Sequence, residues 1–473
     1  MDTETGASQA APTRYSQQLH RSIGVLGNIF ITLSGVTPAA SVFVIAPTAL
    51  IAVGSGTFLA FVFAAVVGVF MALCWAELSA AFPIAGGDYA MVWHSYRGRA
   101  KPLAGPVSFI VFALYIDFIA FIPATIALGA GVYMDVVWNV NAKYLGAAVM
   151  LITSAIAIFK IKFNAWLTGV FLALELTALL TVTVLGLSHA KHWGALIHPV
   201  VAGSGGLLVP VAFSGVLAFT ATAIFSYNGY SSAVNFSEET TGGSRTIATA
   251  ILWSLVITVA AELIPLTAAI LGAPSLAQLS NPSGQPLQYM IEATSDKGVN
   301  TVLSIGIVLA VLNATLAIVL SNSRILFSGA RDKAFPGPVG KALAHIHPGT
   351  KSPWVATAVV GIVGAIMCLT VSLDTLVNLT GASLVADYAL IAIAALVARI
   401  TGATKNSSYR MKLWPLPPLI ALAALGYVFD QQTKDLLLAT LITMGIGLVY
   451  WAVVIYPQRG KAWQILEPAE NGE

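Results

Sequence analysis

The sequence predicts an all-α polytopic membrane protein with 12 transmembrane helices. Three observations support this fold class: 57% of the 473 residues are hydrophobic, only 9% are charged, and the mean hydropathy is +0.84. Soluble domains carry about 25% charged residues, so the composition excludes a cytosolic enzyme. The 23 basic and 20 acidic residues leave a net charge of +3 and no basic patch, which excludes a nucleic-acid-binding protein.

Apolar runs separated by glycine, proline and charged residues define the predicted spans. A helix needs about 20 apolar residues to cross the hydrocarbon core. The short alternating segments of a membrane β-barrel are missing from the sequence, and the polar residues 1–22 lack a signal-peptide pattern. The runs are 23–52, 57–82, 104–134, 144–159, 163–188, 207–236, 247–272, 299–323, 353–373, 375–398, 413–429 and 434–456.

Basic residues predict how these spans are oriented. With the N-terminus inside, 19 of the 23 Lys and Arg residues fall in inside segments, and only Lys143, Lys191, Lys297 and Lys434 fall outside. Cytoplasmic loops of membrane proteins carry such an excess. We therefore expect a multi-pass protein of the cytoplasmic (inner) membrane with a cytoplasmic N-terminal tail over 1–22 and a cytoplasmic C-terminal tail over 457–473.

Two spans are interrupted at their middles, span 1 by the segment Ser34–Ser41 and span 6 by the segment Phe225–Ser232. Pro38 removes a backbone donor, and Gly229 loosens the second segment. Breaks at membrane depth are tolerated where they line a cavity, although a single one is often a simple kink. Because the two spans are five apart, the breaks indicate inverted halves over 23–188 and 207–398, followed by two further spans over 413–456, with a substrate site at the midplane.

Three motifs resemble the amino acid–polyamine–organocation (APC) superfamily of permeases. They are Glu77-Leu78 with Phe82–Tyr89 after span 2, Phe225–Thr240 with Arg245 around span 6, and Ser323–Phe327 with Ala330–Pro336 after span 8. The resemblance implies the five-plus-five inverted-repeat fold of the leucine-transporter type. It also implies alternating-access transport of amino acids, amines or related organic cations.

The first break departs from the family pattern. Many members that carry amino acids have Gly-Ser-Gly there, whereas this chain has Ala39-Ala40-Ser41. The dipeptides Thr37-Pro38 and Asp117-Phe118, with Pro123, look more like the bacterial putrescine-importer branch. This resemblance widens the expected substrates to amino acids or cationic amines and polyamines.

Polar and aromatic groups at the two breaks, together with one acid in span 3, are the predicted substrate site. Hydroxyls and free backbone N–H groups can receive polar substrate groups, and tyrosine rings can contact an ammonium. Packing is the alternative role for each aromatic ring. The candidates are Ser34, Gly35, Thr37, Ala40, Ser41, Asp117, Phe225, Ser226, Tyr227, Asn228, Gly229, Tyr230 and Ser231.

Five carboxylates within the predicted spans are candidates for proton coupling: Glu77, Asp117, Glu175, Glu262 and Asp387. No Lys or Arg lies deep in any span, and carboxylates at the bilayer centre are costly and usually functional. Asp117 is the leading candidate, because span 3 packs beside the broken helices in the family fold. The alternatives are that Glu77 pairs with nearby loops and that Glu175 and Glu262 are protonated and hydrogen-bonded to neighbouring helices.

The predicted function is therefore that of a secondary active transporter coupled to protons. Asn313 and Thr315 in span 8 occupy positions where a sodium-dependent relative would hold Na⁺, so Na⁺ symport stays an alternative, as does exchange. A channel is less favoured, because two matched breaks and one central site argue against a continuous pore. A membrane-embedded enzyme is less favoured, because all seven histidines lie outside the spans. A nucleotide-binding motif is missing. We expect a small-molecule substrate and membrane lipid as partners and no cofactor.

Overall fold

The computed structural model describes residues 14–15, 23–84, 86–138, 140–242, 244–281, 285–465 and 467–468. Except for 14–15, the predicted N-terminal tail lies outside the described residues. The helices that precede the second break are α1 (Val25–Val36), α2 (Pro38–Ala40), α3 (Ala46–Val53), α4 (Thr57–Ala81), α5 (Asp88–Ser95), α6 (Lys101–Trp138), α7 (Ala142–Ala157), α8 (Ile161–Ser188), α9 (Phe213–Ala218) and α10 (Thr220–Tyr227).

The second part of the chain is also mostly helical. Its helices are α11 (Ser244–Gly272), α12 (Leu276–Leu279), α13 (Pro286–Thr294), α14 (Lys297–Arg331), α15 (Gly337–Leu343), α16 (Trp354–Thr370), α17 (Leu373–Ile400), α18 (Leu416–Asp430) and α19 (Lys434–Tyr450). Short 3₁₀ or π segments join several of them, including Ser41–Ile45 and Tyr230–Phe236. Seven long apolar helical stretches and three shorter ones, α7, α16 and α18, in the described part of the chain make this a polytopic membrane protein.

Two small strand pairs are an exception to the all-α prediction. Strand β1 (Arg14–Tyr15) pairs in parallel with β4 (Glu467–Pro468), and β2 (Val200–Ala202) pairs antiparallel with β3 (Leu208–Pro210). The second pair is a hairpin in the loop between α8 and α9, where Gly205 and Gly206 adopt positive φ angles. Its strands are too short to show an alternating pattern in the sequence.

Burial separates central helices from peripheral ones. In α14 and α17, 72% of the most apolar stretch is buried inside the protein, against 17% in Lys434–Gln458. The peripheral helices expose large apolar side chains such as Val66, Leu180, Val256 and Ile446. Exposed apolar surface of this extent is expected of a protein whose outer face meets lipid. The central helices α6, α14 and α17 therefore form the walls of any internal site.

Candidate functional site

The first break lies between α1 and α2. The helix α1 ends at Val36, and Thr37 follows in the left-handed conformation, with φ of 61°. Pro38 then begins α2, where its missing N–H costs no hydrogen bond because first-turn donors have no partner within a helix. The next donor, the Ala39 N–H, donates to Glu175 Oε1 over 2.8 Å. The break is therefore a true interruption of the helix. The Glu175 carboxyl group, from α8, caps the half that follows it.

The second break follows α10. Asn228 is extended, Gly229 has φ of 113°, and a 3₁₀ segment begins at Tyr230. A Cβ atom on Gly229 would lie only 3.1 Å from the Cα atom of Val36 in the first break. The two interrupted spans therefore cross in backbone contact at their breaks, and glycine is required at this crossing both by its conformation and by the space available.

A central cavity opens beside this crossing. Its volume of about 60 Å³ has room for a few water molecules. Seven of the predicted site residues line it: Gly35, Thr37, Phe225, Asn228, Gly229, Ser231 and Asp387. An amino acid or a diamine is larger than this space, so the walls must separate before such a ligand can enter.

The remaining predicted residues at the breaks hold the broken helices together instead of lining the cavity. Ser34 Oγ donates to the carbonyl of Thr168, and Ser41 Oγ donates to the carbonyl of Ser226 over 2.7 Å. Ser226 Oγ in turn donates to Glu262 Oε2 over 2.8 Å. Buried aromatic packing accounts for Tyr227, whose ring meets Phe61, and for Tyr230, whose ring meets Trp75, while Ala40 is fully buried.

Asp117, the leading candidate in the sequence, does not lie at the cavity. It lines a separate groove between α6 and α19, together with Thr443, and is absent from the cavity wall. The cavity face of α6 is formed by Tyr115, Phe118 and Ile122. A residue next to Phe118 is rotated by about 100° around the helix axis. Asp117 consequently faces α19, and the expectation that it lies beside the broken helices is not met.

Asp88, which the sequence analysis left outside the candidate list, lines the cavity as the first residue of α5. Its two carboxyl oxygens accept hydrogen bonds from Trp75 Nε1 and from the Tyr115 hydroxyl, both over 2.7 Å. Burial raises the pKa of Asp88 to about 6. Its neighbour Gly87 holds the turn, since a Cβ there would lie 2.4 Å from Asn235 Oδ1.

Other wall residues were also missed by sequence reasoning. Besides Asp88 they provide hydroxyl and amide groups from the second break and from α6 and α14. Among the described wall residues there is no lysine, arginine or histidine. The cavity therefore offers hydrogen-bonding groups and carboxyl groups but no cation of its own. The missed polar residues are Asp88, Tyr115, Ser232, Asn235, Ser321 and Asn322.

Glu175 and Glu262 attach to the breaks from neighbouring helices. Glu175 in α8 accepts from the first break and Glu262 in α11 accepts from the second, and both are fully buried. In each carboxyl group the second oxygen has no hydrogen-bond partner among the described residues. These two acids therefore lie where movement of a broken helix would change their surroundings.

A substitution at Glu175 tests its capping role. We expect Glu175→Leu, which keeps the volume but leaves the Ala39 N–H unpaired, to lower the free energy of unfolding by about 1–3 kcal/mol. Glu175→Gln keeps an acceptor oxygen and should cost less than about 1 kcal/mol. Denaturant titration in detergent measures both variants, and equal losses would contradict the capping role.

Glu77 pairs with a nearby loop, which is the alternative to proton coupling for this residue. Its carboxylate, 1% exposed, accepts from Arg399 Nη2 over 2.7 Å, from the Thr404 hydroxyl over 2.7 Å and from the Met411 N–H over 2.8 Å. These partners lie at the end of α17 and in the loop that follows it. Glu77 therefore fastens α4 to that loop and lies outside the cavity wall.

The two residues at the possible sodium-ligand positions, Asn313 and Thr315, differ in their hydrogen bonding. Thr315 is buried and its hydroxyl donates to the Val311 carbonyl in its own helix, over 2.8 Å. Asn313 is fully buried, lies beside Glu175, and has no geometric hydrogen-bond partner for either amide atom among the described residues. Asn313 thus lies beside the Glu175 carboxyl group near the first break, whereas the Thr315 hydroxyl is bonded within its own helix.

Ion pairs join the segment after the second break to α14, on the side that the charge pattern predicts to be cytoplasmic. Glu239, just after the second break, accepts from Arg324 Nη2 over 3.0 Å, and Glu238 accepts from Arg331 over 3.3 Å. The Ile23 N–H donates to the Glu239 carbonyl, which ties the start of α1 to the same place. These residues belong to two of the three motifs singled out in the sequence, and together they connect α1, α14 and the second break.

The raised pKa of Asp88 predicts a pH dependence. Because the folded protein holds this proton more tightly than the unfolded chain, the contribution to stability is full below about pH 4 and is lost as pH rises through about 6. The loss reaches about 3 kcal/mol at most. The stability of Asp88→Asn relative to that of wild type should therefore increase as the pH rises from 5 to 7.5. Melting temperatures across this range measure it, with the exposed Asp435→Asn as control, and parallel pH profiles of Asp88→Asn and wild type would contradict it.

Comparisons with known proteins agree with this architecture. Residues 23–456 match the family model described as "Amino acid permease". The chain is similar to the methylthioribose transporter of Bacillus subtilis (24% identity over 84% of this chain and 86% of the relative). It is also similar to a branched-chain amino acid permease of the same organism (22%; 93% and 94%) and to human cationic amino acid transporter 4 (25%; 75% and 56%). The chain therefore belongs to the amino acid permease family of the APC superfamily.

Proposed function

We propose that this transporter is a proton-coupled permease that moves an amino acid or a cationic amine by alternating access. The observation that carries the proposal is the cavity at the crossing of the two broken spans, which has carboxyl groups in its wall and no basic side chain among its described residues. An ammonium group is attracted to such a site. A substrate carboxylate would have only backbone and side-chain donors to bind.

The arrangement of the breaks supports alternating access. Interrupted helices that cross at a midplane cavity are typical of transporters built from inverted repeats. We therefore propose that 23–188 and 207–398 are the two repeats and that both chain termini lie in the cytoplasm. In this proposal, opening requires Glu238 and Glu239 to separate from Arg331 and Arg324, which would free the predicted cytoplasmic end.

Substrate charge is where the relatives diverge. Their names specify methylthioribose, branched-chain amino acids and cationic amino acids, which differ in net charge. The acidic cavity favours the amine-bearing compounds over the uncharged sugar. Within that class, we propose that the cavity tolerates removal of the substrate's carboxylate better than removal of its amine.

Uptake by proteoliposomes tests this function. The panel is L-leucine, L-arginine, putrescine and methylthioribose, each with a proton gradient imposed inward in one set of vesicles and outward in another, and in the absence of Na⁺. We expect accumulation of at least one amine-bearing compound that a protonophore abolishes. Preloading the vesicles with unlabelled substrate distinguishes exchange from uptake. Accumulation that needs Na⁺ and ignores the protonophore would reject proton coupling, and accumulation of methylthioribose alone would reject the substrate class.

A further inference from the structure

We propose that Asp88 and Asp387 form a carboxyl pair that shares one proton while the cavity is empty and releases it when a substrate ammonium enters. This inference rests on the proposed function, because it names the group through which the cavity exchanges a proton for a cation. The two residues come from different elements, the first residue of α5 and the middle of α17. They are hereafter called the carboxyl pair.

The geometry of the carboxyl pair requires a proton. Asp88 is 2% exposed, Asp387 is 1% exposed, and both line the cavity. Their side chains lie within hydrogen-bond reach of each other. Two ionised carboxylates so close in a buried site repel strongly, and one proton held between them removes the repulsion. The pair then carries a single negative charge.

The two carboxyl groups have unequal surroundings. Both oxygens of Asp88 already accept hydrogen bonds, from Trp75 Nε1 and the Tyr115 hydroxyl, and these donors stabilise its ionised form. Asp387 Oδ1 is buried without a hydrogen-bond partner among the described residues. Asp387 is therefore the member that carries the proton and donates it to Asp88. Its unpartnered oxygen is one of three unpartnered polar atoms of the described cavity wall, beside Ser232 Oγ and Asn235 Oδ1, and the one that carries acidic charge.

Among the described residues, those around the pair supply hydroxyl groups and aromatic rings but no cation. Around the pair lie Trp75 of α4, Tyr115 of α6, Tyr230 of the 3₁₀ segment and Tyr388 of α17. The Tyr388 hydroxyl donates to Asn228 Oδ1 at the second break, over 3.2 Å. This bond connects the carboxyl pair to the segment that would contact the rest of a substrate. The rings of Trp75 and Tyr388 pack edge to face beside the pair, with centroids 4.6 Å apart.

Exchange of a proton for an ammonium group balances the charge. When a primary ammonium approaches Asp387 Oδ1, the shared proton leaves to solvent and both carboxylates become ionised. The ammonium supplies the compensating positive charge and donates hydrogen bonds in place of the proton. The site thus keeps a net charge of −1 before and after exchange. Empty and occupied cavities are therefore both electrostatically acceptable, which a transport cycle requires.

The first measurement needs no substrate. Infrared spectra of the purified protein in lipid nanodiscs, recorded at pH 8, where carboxyl groups with a pKa of about 6 are ionised, detect the C=O band of a carboxyl group that keeps its proton. Asp387→Asn keeps the shape and lets its amide donate to Asp88, so the fold is preserved while the shared proton is lost. We expect this variant to lack one carboxylic-acid band of wild type. The matched control is Asp332→Asn, since burial also raises the pKa of Asp332 to about 6 but Asp332 bonds Tyr89 away from the cavity.

The second measurement counts protons released on binding. In weakly buffered solution, with L-arginine and putrescine as probes, wild type and Asp332→Asn should release about one proton per bound probe. Asp387→Asn should release none and bind about 10- to 150-fold more weakly, as expected when a charge-assisted contact is lost. An unchanged infrared band in Asp387→Asn, or equal proton release by that variant, would overturn the carboxyl pair. If no probe binds wild type while the band is lost as expected, the substrate class fails and the shared proton stands.

Discussion

Replacing Arg399 by alanine is expected to lower the free energy of unfolding by about 3–5 kcal/mol, because it leaves a buried carboxylate without its cation. Glu77 is almost inaccessible to solvent, and Arg399 makes two of its hydrogen bonds while also donating to the Met411 carbonyl. Loss of the guanidinium group therefore also releases the loop after α17. Denaturant titration in detergent micelles measures the change.

The matched control for Arg399 is Arg410→Ala, an exposed arginine in the same loop. Its removal should change stability by less than about 0.5 kcal/mol. The double variant Glu77→Gln with Arg399→Met should recover part of the loss, since neither residue is then a charge without a partner. If Arg399→Ala and Arg410→Ala unfold at the same denaturant concentration, the Glu77 network is not a structural fastening.

At the crossing of the breaks, Gly229→Ala should reduce transport by about tenfold or more, because a strain of about 1–3 kcal/mol falls on the backbone that shapes the cavity. Alanine is disfavoured at φ of 113°, and its Cβ would press against the backbone of Val36. Uptake by proteoliposomes with the identified substrate measures the loss.

Gly35→Ala is the control on the α1 side of the same crossing. Its Cβ would meet Ser232 Oγ at 3.7 Å, an ordinary contact, and Gly35 lies in helix α1 where alanine is favourable. We expect Gly35→Ala to keep most of its transport and to melt no lower than wild type. Equal transport by Gly229→Ala and Gly35→Ala would show that the crossing does not constrain the site.

Most span boundaries and the two breaks could be predicted because they depend on local chemistry. The predicted run 207–236 is an exception, since its first residues form strand β3 (Leu208–Pro210). Long apolar runs and the positions of Pro38 and Gly229 determine where helices form and stop. The predicted run 375–398 corresponds to α17 (Leu373–Ile400), and the predicted run 163–188 corresponds to α8 (Ile161–Ser188). Charged residues extend some helices beyond the apolar run, as in α14, which continues to Arg331.

Which side chains line the cavity could not be predicted, because it depends on helix rotation and on non-local packing. Asp117 lies in the expected span but on the face toward α19. Asp88 lies outside the apolar runs. It lines the cavity because the turn at Gly87 places the start of α5 against the cavity wall. The one signal for Asp88 in the sequence was a charged residue within the Gly-Gly-Asp-Tyr segment, which was interpreted only as part of a motif.

The most direct test of the central claim is the reactivity of a cysteine placed in the cavity. Ser232→Cys is a conservative change in the wall, and both native cysteines, Cys74 and Cys368, are buried. Proteoliposomes are treated with methanethiosulfonate reagents that carry either an ammonium or a sulfonate group. If the cavity is the cation-accepting substrate site, the ammonium reagent modifies Ser232→Cys faster, and the transported substrate slows it. Equal rates for both reagents with no protection by substrate would contradict the account.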